Sequence, residues 1–246
     1  MVALAFLLTA SDYEEPFELS WDRDGPVVGA SVAFAATWIA ETQLRRPTLC
    51  PCSTAGIPPF DRVALTQRSA GSTTASDVLL VSMLILGPAE VAIGTAGHGV
   101  RSLAEALVIQ AESMVLSASL TAMVKDAVSR PYPSVYTSHD TSLSGYESFW
   151  SGHAAATFNA VVTATYLMHE SYPDEAWPWI AGGFGIAAAT ATAVLRVTAG
   201  VHFPSDVVVG ALIGSGLGIV VPLVHRRRLP VQLAASLGGA ALVGRF

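Results

Sequence analysis

Three residues whose types and spacing suit phosphate chemistry lie between two long apolar stretches of the sequence: Arg196, His202 and Asp206. Charged and imidazole side chains are costly to place beside lipid or inside a core unless they pair or take part in chemistry. Pro204 suits the first turn of a helix, which puts Asp206 about one turn beyond His202. Asp206 can then accept a hydrogen bond from one imidazole nitrogen and leave the other free to attack, while Arg196 can clamp two phosphate oxygens. A salt bridge between helices, with a merely hydrogen-bonded His202, is the structural alternative that this stretch alone leaves open.

The composition indicates a membrane protein. Hydrophobic residues make up 52% of the 246 residues and charged residues only 13%, whereas an ordinary soluble domain has about 25% charged residues. The mean hydropathy is +0.50. The net charge of −6 gives no reason to propose a nucleic-acid partner. Cys50 and Cys52 are too close in sequence for a comfortable disulfide and too few for a metal site.

Six apolar stretches predict an all-α fold, a polytopic membrane helix bundle with about six transmembrane helices. They are Pro26–Ala40, Val78–Ala96, Ser102–Val124, Ala154–Met168, Trp179–Leu195 and Val207–Val224. Small residues in the last three stretches allow the close helix–helix approach that membrane bundles prefer. A further apolar stretch, Leu229–Val243, is interrupted by Pro230 and two glycines, and it predicts an interfacial or partial span.

Residues 1–25 are expected to form an N-terminal tail or surface segment, and residues 26–246 one membrane-embedded domain. Met1–Ala10 is too short to span a bilayer and fits either part of a signal sequence or an ordinary tail. The arginine triplet 226–228 after the sixth stretch predicts a cytoplasmic C-terminal end. This orientation puts the chemistry-bearing loops on the extracytoplasmic face of an inner or plasma membrane, although four arginines between residues 41 and 76 oppose it.

Counting helices places two polar segments, Lys125–His153 and Arg196–Asp206, on the same side of the membrane. One histidine of this set could attack phosphorus and the other protonate the leaving oxygen, while cations and backbone N–H groups hold the equatorial oxygens. Ser151-Gly152-His153 opens the fourth stretch, so its N–H groups would point out of a helix N-terminus. A plain N-cap and an interfacial histidine are the structural alternative for this motif alone.

Over Lys125–Gly218 the sequence resembles the type 2 phosphatidic acid phosphatase superfamily, in particular its membrane lipid phosphatase branch, which is related to vanadium haloperoxidases. The third family motif is Arg, five residues, His, three residues, Asp, and Arg196, His202 and Asp206 match it in full. The second motif, Pro-Ser-Gly-His, here reads Trp150-Ser151-Gly152-His153.

The first family motif, Lys, six residues, Arg-Pro, is matched only in part. It begins at Lys125, but Tyr132 stands where the family has its arginine. Arg130-Pro131 stands two residues earlier. Tyr132 could donate one hydrogen bond to a phosphate oxygen but brings no charge.

The resemblance implies a role for each matching residue. His202 would be the nucleophile that forms a phosphohistidine, Asp206 would orient it, and His153 would act first as general acid and then as general base. The phosphate-binding residues would be Lys125, Arg130, Ser151, Gly152 and Arg196. The scheme needs no metal and no other cofactor.

The implied function is an integral membrane phosphatase, in contact with membrane lipids, that hydrolyses a lipid phosphate monoester or a polyprenyl diphosphate. Tyr132 and Trp150 motivate an alternative, a phosphate-binding membrane protein with a degenerate, inactive site. A vanadate-dependent haloperoxidase is a third and more remote option. The sequence identifies neither the particular lipid nor the oligomeric state.

Overall fold

The computed structural model of the chain describes residues 14–44, 53–138, 143–227, 231–236 and 239–244. The predictions for Met1–Ala10 and for Cys50 and Cys52 lie outside these residues. The described part confirms the expected all-α bundle, because each of the six predicted apolar stretches lies in a long helix.

The helices are α1 (Trp21–Leu44), α2 (Ala70–Thr95), α3 (Val100–Val128), α4 (Val135–Ser138), α5 (Gly152–Ser171), α6 (Trp177–Thr198) and α7 (Pro204–Val224). Within the described residues, four helices are long and apolar enough to cross a membrane: α2 with its 3₁₀ extension to His98, α3, α6 and α7. The chain is therefore an integral membrane protein. The count of about six spans stays a prediction.

Helix α5 lies at the centre of the bundle and packs against α2, α3, α6 and α7. Its contact with α7 is close because glycines recur every four residues on the facing side of α7. A Cβ atom on Gly210 would lie 2.6 Å from the Ser151 carbonyl oxygen, and one on Gly214 would overlap the Ala155 carbonyl. These glycines let the start of α7 lie against the start of α5, where the polar motifs meet.

The first described residues of the chain meet residues 225–227 at the far end of α7. Residues 14–20 run as an extended segment in which Phe17 is 3% exposed. The Glu18 N–H donates to the His225 carbonyl at 3.0 Å, and the Arg227 N–H donates to the Pro16 carbonyl at 3.0 Å. This N-terminal segment is therefore fixed to the bundle by backbone hydrogen bonds.

The described residues of the apolar stretch Leu229–Val243 form strands and no further helix. The stretch contributes to a two-stranded antiparallel hairpin, β1 (Val231–Ser236) and β2 (Gly239–Gly244), in which Val231 pairs with Gly244. Adjacent glycines are unfavourable inside a helix because they lose the most backbone freedom on ordering.

Candidate active site

The polar motifs meet at one end of the bundle, where α3 and α6 end and α5 and α7 begin. The Ser151 N–H donates to the Asp206 carbonyl at 3.1 Å, which joins the second and third motifs directly. The Tyr132 ring lies edge-on to the His202 ring with 5.5 Å between centroids, and the Lys125 Nζ lies 5.9 Å from the Tyr132 centroid. The two polar segments, Lys125–His153 and Arg196–Asp206, therefore lie at the same end of the bundle, as the helix count predicts.

His202 has a defined tautomer. Its Nδ1 lies 2.8 Å from the Ser148 carbonyl oxygen. Because a carbonyl can only accept, Nδ1 must carry the hydrogen, and Nε2 keeps its lone pair. The side chain is 2% exposed, and this burial lowers the pKa of His202 to about 4, although Asp206 acts in the opposite direction. The imidazole is therefore neutral near pH 7, as a nucleophile must be.

Asp206 supports His202 less directly than the spacing suggested. Its Oδ2 lies 3.7 Å from His202 Nδ1, too far for a hydrogen bond. That oxygen accepts the Ser148 hydroxyl at 2.5 Å and the Phe203 N–H at 2.9 Å. The expected direct hydrogen bond between Asp206 and His202 is wrong, because Ser148 lies between them and binds both. Sequence reasoning missed Ser148, which belongs to none of the three motifs.

Arg130 binds two carboxylates, those of Asp206 and Asp61. Its Nη1 donates to Asp206 and its Nη2 donates to Asp61 Oδ2 at 2.8 Å. The guanidinium also lies 4.1 Å from the centroid of the Phe203 ring. In this arrangement the guanidinium binds two carboxylates, and the predicted contact of Arg130 with phosphate stays a prediction.

A carboxylate that sequence reasoning missed lies between the second histidine and the third-motif arginine. Asp77 Oδ1 is 2.8 Å from His153 Nε2 and 3.1 Å from Arg196 Nη1. Asp77 lies in the second turn of α2, and its side chain is 53% exposed. A carboxylate oxygen accepts, so His153 Nε2 carries a hydrogen, which is the proton a general acid would give away.

The start of α5 offers backbone N–H groups. Ser151 is an ordinary N-cap, since its Oγ accepts the Ala154 N–H at 3.4 Å, and its own N–H is already bound to Asp206. The N–H of Gly152 belongs to the first turn, where N–H groups have no partner within the helix. Lys125 approaches from α3 and donates its ammonium to the Glu147 carbonyl at 2.5 Å.

The chain is thus an all-α membrane bundle that gathers two histidines, cations and a helix N-terminus at one end, groups whose chemistry suits an anion. The PAP2 superfamily model matches residues 106–230, half of the chain, and the chain belongs to that superfamily. The resemblance read from the three motifs is confirmed. No curated protein matches the sequence.

One solved structure that is similar is the crystal structure of the first transmembrane PAP2 type phosphatidylglycerolphosphate phosphatase from Bacillus subtilis. It is 17% identical, with a TM-score of 0.46, and the match covers 89% of this chain and 92% of that chain.

Proposed function

We propose that this chain is an integral membrane phosphatase that hydrolyses a lipid phosphate monoester or a polyprenyl diphosphate through a phosphohistidine. The observation that carries the proposal is the state of His202, a buried neutral imidazole whose hydrogen is fixed on Nδ1 by Ser148. Its Nε2 lone pair is the group that would attack phosphorus.

In the first step, the phosphate of the substrate lies between Lys125, Arg196 and the start of α5. His202 Nε2 attacks phosphorus, the new P–N bond forms, and the bond from phosphorus to the leaving oxygen breaks. His153 enters this step as the imidazolium, gives its Nε2 proton to that oxygen and becomes neutral, so the lipid product leaves as a neutral alcohol or as a protonated phosphate.

In the second step, His153 is neutral and accepts a proton from water. The water oxygen attacks phosphorus and the P–N bond breaks. Inorganic phosphate is released, and free His202 is regenerated. The scheme uses side chains and backbone N–H groups alone, and it needs no metal or other cofactor.

The position that Asp77 occupies would have to open for substrate. Its carboxylate oxygen binds His153 and Arg196 as a phosphate oxygen would. Because two anions side by side repel each other, phosphate binding would move Asp77 off Arg196. Its half-exposed side chain on the rim of the site has room to turn away.

The site would face the extracytoplasmic side. Arg227 lies 3.9 Å from Glu105 near the start of α3, and twenty residues of helix, about 30 Å, separate that position from Lys125. Arg226 and Arg227, two of the arginines that predict a cytoplasmic end, therefore lie at the opposite end of the bundle from the site. The lipid substrate would come from the leaflet nearest the site.

We expect the detergent-purified protein to release phosphate, with a chelator present, from at least one of phosphatidate, phosphatidylglycerol phosphate and undecaprenyl diphosphate. Metal-free histidine chemistry is the reason that the activity should survive chelation. Inorganic phosphate is measured by a colorimetric assay over time. If none of the three lipids is hydrolysed while radiolabelled phosphate still binds, the alternative of a phosphate-binding protein with an inactive site replaces this proposal.

That alternative rests on the two departures from the family motifs. Trp150 is accommodated by the fold, since it is buried and its Nε1–H donates to Thr121 Oγ1 at 2.8 Å. Tyr132 is the more consequential departure, because it lies against the nucleophile where a charged side chain would bind phosphate.

Replacing Tyr132 with arginine is expected to raise kcat/KM by about 10- to 100-fold, because one hydrogen bond from a charged donor contributes about 1.5–3 kcal/mol. Initial rates with the best lipid of the panel check this. The matched control is Tyr132→Phe, which keeps the ring beside His202 and removes only the hydroxyl. A lower kcat/KM in Tyr132→Arg than in Tyr132→Phe would show that Tyr132 is adapted to this site and does not mark a lost arginine.

A further inference from the structure

The loop between α1 and α2 contributes a carboxylate to the active site from outside all three motifs. Asp61 is 1% exposed. Its Oδ1 accepts the Ser205 N–H at 2.9 Å, and its Oδ2 accepts the Ser205 hydroxyl at 2.7 Å and the Arg130 Nη2 at 2.8 Å. A buried carboxylate with this many donors is an internal part of the site, because an anion without partners would be costly to bury.

The contacts of Asp61 cap α7 at long range. The Ser205 N–H belongs to the first turn of α7, where N–H groups need a partner from outside the helix. Asp61 supplies that partner from 144 residues away in the sequence. A negative charge at a helix N-terminus is also favourable for the helix dipole. Burial alone would raise the pKa of Asp61, but the hydrogen bonds from Ser205 and Arg130 outweigh it and lower the pKa, so the carboxylate is ionised.

Asp61 and Asp206 share one guanidinium. Arg130 donates one nitrogen to Asp61 and the other to Asp206, with Phe203 beneath its plane. Ser148 then connects Asp206 to the Nδ1 of His202. The chain of contacts therefore runs from the loop carboxylate to the ring nitrogen that sets the tautomer of the nucleophile.

The loop is packed in place by apolar contacts. Ile57 and Ala64 are buried in a cluster with Phe203, against which Tyr136 and Val197 also pack. The Ser69 N–H donates to the carbonyl of Thr198 at 3.2 Å, at the end of α6. This segment therefore packs against Phe203, just before α7, and against the end of α6.

We propose that Asp61 is a positioning residue of this active site. Through Arg130 and Ser205 it fixes the start of α7, and with it the Asp206 carboxylate and the loop that carries His202. The inference rests on the proposed function, since it assigns Asp61 to the positioning of the histidine nucleophile. Displacement of the reacting group by about 1 Å is enough to lower a rate by about 100-fold.

The test is Asp61→Asn. The new amide keeps the volume of the side chain, and its oxygen still accepts the Ser205 N–H. Its NH₂ group takes the place of Oδ2, so the variant removes the acceptor of the Arg130 Nη2 and of the Ser205 hydroxyl and keeps the bond from the Ser205 N–H. We expect kcat to fall by about 10- to 100-fold with KM changed less than about twofold. Asp174→Asn, at an exposed acidic residue between α5 and α6, is the matched control and should keep the wild-type kcat.

A double-mutant comparison separates positioning from a general loss of folding. If Asp61 acts through Arg130, Asp61→Asn combined with Arg130→Gln should be no slower than Arg130→Gln alone. A kcat in Asp61→Asn equal to that of the wild type, or losses that multiply in the double variant, would overturn the inference.

A second readout does not depend on turnover. In ¹⁵N-histidine NMR spectra, the His202 ring resonances, assigned by their absence in His202→Gln, should show the Nδ1–H tautomer in the wild type. They should shift in Asp61→Asn and stay in place in Asp174→Asn. If the wild type hydrolyses no lipid, the proposed function fails, and unshifted His202 resonances would then count separately against the role of Asp61.

Discussion

Replacing His202 with alanine is expected to lower kcat/KM for the lipid phosphate by about four to six orders of magnitude, the scale of losing a catalytic unit. The variant removes the Nε2 lone pair that forms the P–N bond, and no neighbouring group replaces it in the described geometry. Initial rates of phosphate release with a chelator present measure the loss. His98→Ala, at the far end of α2, is the control for removing a histidine and should keep the wild-type rate.

The same histidine fixes the acid side of the pH profile. Burial lowers the pKa of His202 to about 4, so the imidazole stays neutral and nucleophilic down to about pH 4. Below that pH, protonation of Nε2 removes the lone pair that attacks phosphorus. The acid limb of kcat/KM should therefore lie near pH 4. An acid limb near pH 6.5 would indicate an exposed imidazole, in conflict with the buried geometry.

A His202→Ala variant with more than a tenth of the wild-type rate would exclude the phosphohistidine.

The sequence was sufficient for the parts of the molecule that depend on local pattern. Apolar stretches of the right length predicted the six long helices, and Pro204 correctly marked the start of α7. Counting those helices then placed His153 and His202 on one side of the membrane, which required no knowledge of how the helices pack.

The residues that sequence reasoning missed act across long distances in the chain. Asp77 reaches His153 from 76 residues away, and Asp61 reaches Ser205 from 144 residues away. An acidic residue at the edge of an apolar stretch or in a loop carries no periodic signal, so only the packed structure shows that it enters the site. The prediction of a direct hydrogen bond between Asp206 and His202 was wrong for the same reason, because Ser148 belongs to none of the three motifs.

The C-terminal stretch shows a different limit. Residues 229–243 are as apolar as a short span, yet part of the stretch forms strands. Apolar runs of this length do not distinguish a helix from a strand by hydrophobicity, and adjacent glycines favour a turn.

Replacing His153 with glutamine is expected to lower kcat for a lipid phosphate by about 100- to 10,000-fold, the usual range for a general acid–base group. The lipid alcohol is a poor leaving group, and it must be protonated as the bond to phosphorus breaks. An activated ester such as p-nitrophenyl phosphate has a leaving group that needs no proton, so its phosphorylation step should be much less affected.

This difference makes His153→Gln more informative than a simple loss of activity. Because His153 also activates the water of the second step, a phosphorylated His202 should accumulate with the activated ester and be recovered by acid-free quenching and mass spectrometry. His169→Gln is the matched control, as it lies on the same helix sixteen residues further on, about 24 Å away. Equal losses with the lipid and the activated ester, without a trapped intermediate, would show that His153 binds phosphate and does not transfer the proton.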